Sequence, residues 1–127
     1  DLRKVINTLQ AAAALGKKVD EEAVYKVSGR VNPKELRIVL EKALSGDFRS
    51  AQNELIKLLI EYGLSGLDII KQLHREVIML DTDEKIKLKL IEILGETEYR
   101  ILEGGTDDIQ LSAMIAKIAL VGGGKVS

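Results

Sequence analysis

Residues 45–68 read Ser45-Gly46-Asp47-Phe48-Arg49-Ser50-Ala51-Gln52-Asn53-Glu54-Leu55-Ile56-Lys57-Leu58-Leu59-Ile60-Glu61-Tyr62-Gly63-Leu64-Ser65-Gly66-Leu67-Asp68, and this stretch decides the fold class. Phe48, Ala51, Leu55, Leu58, Leu59 and Tyr62 recur at the three- and four-residue spacing of one helix face. Asp47 stands where an N-cap oxygen takes up free N–H groups, and Gly63 where a left-handed residue closes a helix. Ser65 opens the next helix, with an acid three residues on as in a capping box. Helix, two- or three-residue turn, helix is the grammar of an antiparallel bundle.

The same punctuation runs outward in both directions. Asn32-Pro33 reads as N-cap and first helical residue, opening a helix that runs to Ser45 and is closed by Gly46. The helix begun at Ser65 is expected to reach Leu80. Asp81 to Asp83 restarts the chain, and a long helix follows to about Leu102, with a disturbance expected at Gly95. Gly104-Gly105-Thr106 separates it from a last helix over Asp107 to Val121. Ahead of Pro33, Asp1 caps a helix carrying Val5, Ile6, Leu9, Ala12 and Ala13. Gly16 ends it, and Asp20-Glu21-Glu22 starts a shorter one closed by Ser28-Gly29. The organisation expected is therefore all-α: a two-helix segment over 1–28, a linker over 29–33, a five-helix bundle over 34–121 and a fraying tail over 122–127.

Hydrophobic residues make up 46% of the 127 residues and aromatics 3%, so the core must be aliphatic. A net charge of −1 gives no bulk attraction to nucleic acid. The absence of cysteine excludes disulfides and thiolate chemistry. No run of about 18 apolar residues is present to span a membrane, so no membrane partner is expected. No initiator Met precedes Asp1, and the chain is expected to be a piece of a longer polypeptide.

No catalytic constellation emerges. His74 is the single histidine, and no further ligands stand at metal-site spacing around it, so a structural role is expected. Glu84 and Lys87 are spaced as a solvated helix pair. Gly104-Gly105 and Gly122-Gly123-Gly124 lack the strand, helix and lysine that a phosphate loop requires. The last helix is different: Ile109, Leu111, Met114, Ile115, Ile118, Leu120 and Val121 cover nearly its whole circumference. Such a helix is buried on all sides or covered by a partner. A charge at Ile115 or Ile118 separates the two readings.

Asp1-Leu2-Arg3-Lys4-Val5-Ile6-Asn7-Thr8-Leu9-Gln10-Ala11-Ala12-Ala13 resembles the sensor-2 helix of an AAA+ sliding-clamp loader, and most closely that of the replication factor C small subunits of archaeal type. The Ser28 to Pro33 junction, Leu64-Ser65-Gly66 with His74-Arg75-Glu76, and Tyr99-Arg100 through Ile109-Gln110-Leu111 are similar to the same family's collar. The resemblance implies that residues 1–28 end the ATPase lid and that residues 34–121 form the oligomerising collar. It implies that Arg3 contacts ATP phosphates in the parent protein, which would use ATP and Mg. A guanidinium at a helix N-terminus is physically suited to that contact. It further implies a replication role in the cytoplasm (the nucleus for a eukaryotic source). The partners implied are other small and large subunits through the collar, with the sliding clamp and primer–template DNA engaged by an ATPase domain that lies ahead of Asp1. No catalytic residue falls within the chain. The isolated piece is expected to bind no cofactor and to form a homo-oligomer. The competing reading is a helical adaptor that holds a partner helix or peptide in a groove and has no nucleotide role.

Overall fold

The computed structural model describes residues 24–25 and 28–123. Arg3 and the expected first helix lie outside the described residues, as does most of the second helix. Five helices follow: α1 (Pro33–Leu44), α2 (Phe48–Tyr62), α3 (Gly66–Met79), α4 (Glu84–Leu102) and α5 (Asp107–Gly123). No strand occurs among the described residues.

The lead-in closes on Gly29, at φ 75°, with the Arg30 N–H donating to the Tyr25 carbonyl at 2.9 Å. Packing then begins before α1. Val31 is buried, and its N–H donates to Gln72 Oε1 on α3 at 2.9 Å. The segment expected as a linker is thus held to the bundle from Val31 onward. Asn32 caps α1 by accepting from the Lys34 N–H, with Pro33 at the first helical position.

The other boundaries follow from the same local chemistry. Asp47 accepts from the Ser50 N–H to start α2, and Gly63 ends it in the left-handed conformation. Ser65 and Asp68 complete both halves of the capping box on α3. Its two bonds from Ser65, backbone N–H first and hydroxyl second, hold the Asp68 carboxyl below its ordinary value. The loop into α4 is closed by Lys87, whose ammonium donates to the Ile78 carbonyl at 3.0 Å. Lys87 therefore serves the end of α3 rather than pairing with Glu84, and the surface pairs within this helix are Lys89 with Glu92 and Arg100 with Glu96. Gly95 leaves α4 continuous. α5 runs to Gly123, two residues past the expected end and into the expected tail.

The core is aliphatic. Leu36, Val39, Leu40 and Ala43 of α1 meet Ala51, Leu55 and Leu58 of α2, and Ile69, Leu73 and Val77 of α3 meet Leu90 and Leu94 of α4. α5 packs against all four other helices. Its last turn passes close to the end of α1: a Cβ on Gly122 would overlap the Leu44 carbonyl, and one on Gly123 would crowd Gly46.

Candidate assembly surface

α5 decides where an assembly surface can lie. Leu111, Met114, Ile115 and Ile118 are all buried within the bundle. The apolar circumference of this helix is thus satisfied by its own chain, and Ile115 and Ile118 are core. Only its ends carry exposed aliphatic side chains, Ile109 at 65% and Leu120 at 69%. Lys117 ties the helix to α4 through Glu96 at 3.2 Å. The Arg100 hydrogen bond first, and Lys117 second, keep the Glu96 carboxyl below its ordinary value.

The unburied apolar surface gathers in separate places. On α2, Phe48, Ile56 and Ile60 fall in one four-residue row with Gln52, and Ile60 is 76% exposed. Beside that row a cavity of about 170 Å³ lies between α2 and α5, lined by Leu55, Ile56, Leu59 and Leu111 and crossed by the Gln52–Ser112 hydrogen bond. At another corner, Ile78 and Met79 end α3 and Leu88 begins α4, all exposed. Tyr99 and Leu102 stand out near the end of α4. α2 packs on α1 and α5, whereas α4 packs on α3 and α5, so these clusters occupy different flanks.

Buried polar groups are few and paired. Glu76, 4% exposed, accepts from Arg37 Nε at 3.0 Å. The half-buried Glu35 accepts from the Tyr62 hydroxyl, and the buried Thr97 donates to the Ile93 carbonyl. His74 is exposed on α3, and among the described residues no group of acids or histidines is placed to hold a metal ion. No described helix is long and apolar enough to cross a membrane. The site residue expected from sequence, Arg3, lies outside the described residues.

Residues 31–117 match the family described as the Replication factor C C-terminal domain. The chain belongs to the replication factor C family. The replication factor C match begins at Val31, the first buried residue among those described, and ends at Lys117, the partner of Glu96. Three curated relatives, each called replication factor C small subunit, agree with it. The chain is 51% identical over 122 residues to the protein of Methanocaldococcus jannaschii, covering 96% of this chain and 7% of that one. It is 51% identical over 124 residues to the Thermofilum pendens protein (95% of this chain, 38% of the relative) and 51% identical to that of Saccharolobus solfataricus (96% and 37%). The chain thus spans less than two-fifths of the length of these replication factor C relatives.

Proposed function

We propose that this chain is the C-terminal part of a clamp-loader small subunit, and that residues 34–121 form the collar that arranges the subunits in a ring. The observation that carries this reading is the replication factor C match over most of the packed unit, residues 31–117. Exposed apolar clusters on different flanks support it, because each subunit of a ring offers one surface to one neighbour and another surface to the next. In the parent protein, ATP and Mg act in an ATPase module ahead of the collar. Arg3 reaches the ATP phosphates as the sensor-2 arginine, and the assembled ring places a sliding clamp on primer–template DNA. The collar joins small and large subunits, while clamp and DNA are engaged by the ATPase module. The parent acts in the cytoplasm. This division lets the collar hold the ring while nucleotide sites between subunits open and close.

Two variants of the full-length parent test this reading. Deleting the collar should abolish subunit assembly while leaving nucleotide binding by the ATPase module. Arg3→Ala should cut ATP-dependent clamp loading about ten- to hundredfold, as expected for loss of a charge-assisted phosphate contact, with the melting of the collar unchanged. Assembly without the collar overturns its role, and unaltered loading makes Arg3 an exposed helix residue.

A further inference from the structure

A groove of about 410 Å³ lies between α3 and α4. Its floor is apolar, formed by Ile70, Ile91 and Leu94. Its α3 wall carries Lys71, His74 and Arg75, which share one face at i, i+3 and i+4. Arg75 also lines an adjoining hollow together with Arg30, so the basic strip continues past the groove. His74, Arg75 and Arg30 make no hydrogen bond or ion pair among the described residues, and Lys71 meets only the charge of the exposed Asp68 carboxylate, whereas Arg37, Lys42, Lys89, Arg100 and Lys117 are held in ion pairs. Glu98 is the one acid on the opposite wall.

Gly95 supplies a second, independent observation. A glycine inside a helix costs about 1 kcal/mol relative to alanine. At Gly66, Gly105 and Gly122 a Cβ would collide with neighbouring atoms, so packing demands the glycine. At Gly95 a Cβ would meet nothing, and the residue lies in the α4 wall of the groove. Nothing among the described residues requires that glycine. An occupant that lies down against the α4 backbone would.

We infer that the α3–α4 groove docks an acidic amphipathic helix of another protein, its apolar side chains on Ile70, Ile91 and Leu94 and its carboxylates toward Lys71 and Arg75. The inference goes beyond the collar's role in ring assembly and does not depend on it. An apolar floor suits a helix face in a groove, whereas a nucleic acid would place phosphates there. The bare backbone at Gly95 lets the incoming helix approach closely.

The probe is a fluorescein-labelled amphipathic helix of about 18 residues, with Leu at every third or fourth position and Glu elsewhere, titrated with the 127-residue chain and followed by anisotropy. Binding should weaken at least about tenfold in Lys71→Glu/Arg75→Glu, and likewise in Gly95→Leu, which fills the groove from its wall. Glu98→Gln should tighten it a few-fold by removing the opposing charge. All four positions are exposed or partly exposed, circular dichroism verifies the helix content of each variant, and Lys57→Glu, an exposed charge reversal on α2, serves as the control that leaves binding unchanged. Absence of binding overturns the inference, as does equal binding of a lysine-faced peptide or of the charge-reversed protein. If Gly95→Leu disperses an oligomer instead of weakening peptide binding, the groove belongs to a second copy of the chain and the inference also fails.

Discussion

The Asp107 carboxylate accepts a hydrogen bond of 2.8 Å from the backbone nitrogen of Gly66. These are the first residues of α5 and α3, so one side chain lies at the positive ends of two helices at once. A Cβ on Gly66 would press into that carboxylate and into Ile101, which explains why the site is glycine. Asp107→Ala strands the N–H of a buried residue and should lower stability by about 1–2 kcal/mol. Asp107→Asn keeps an acceptor and should lose less. Urea denaturation of both variants measures this, and an unchanged midpoint in Asp107→Ala would show that the bond contributes nothing.

Two helical glycines should respond to alanine with opposite signs. Gly95→Ala adds a methyl group in open space within α4 and should raise stability by about 1 kcal/mol. Gly122→Ala drives a methyl group into the Leu44 carbonyl and should lower stability by about 1–3 kcal/mol. Paired thermal melts decide, and two shifts of the same sign would refute the contrast.

Much of this fold was legible in the sequence because its boundaries are local. Asn32-Pro33, Asp47, Gly63 and the Ser65/Asp68 pair act on backbone groups a few residues away, so the letters alone locate them. What depended on distant neighbours was not legible. The expected disturbance at Gly95 did not form, because a continuous helix needs only its own hydrogen bonds, and only the position of α3 makes that glycine a groove wall. Gly122 and Gly123 looked like a loose tail because the sequence does not reveal that Leu44 and Gly46 wait beside them. The apolar circumference of α5 was visible, but not which helices would cover it. Sequence spacing offers Glu84 to Lys87, whereas a carbonyl at the end of another helix takes its ammonium.

Assembly should depend on α2 rather than on the buried face of α5. Ile60→Lys places a charge at a 76%-exposed position and should weaken self-association of the chain with helicity intact. Ile118→Lys buries an unpaired ammonium and should unfold the bundle. Sedimentation at several concentrations, with circular dichroism alongside, distinguishes the two. Equal sedimentation of Ile60→Lys and the parent chain would remove the α2 row from the interface.

Acid should weaken the α3 cap in a defined direction. The folded Asp68 carboxyl lies below its ordinary value, chiefly through the Ser65 N–H and then the Ser65 hydroxyl. Its contribution is therefore present above the unfolded value and is lost as pH falls toward the folded one. The stability gap between the parent chain and Asp68→Asn should be constant above about pH 5 and should close in stronger acid. The gap is small, because the carboxylate is exposed. A gap that widened on acidification would reverse the assignment.

The helix that all four others pack against is also the last of the five in chain order. On a ribosome, α1 to α4 emerge first and surround a slot with nothing in it. The core face that these four helices share then lacks its central cover until Met114, Ile115 and Ile118 are translated. Domains generally fold as units during synthesis, and this one can close only when its final helix has left the exit tunnel. A nonsense codon anywhere between Gly104 and Leu111 would therefore release four helices with no centre, and the product should be cleared by proteases rather than accumulate as a shortened subunit.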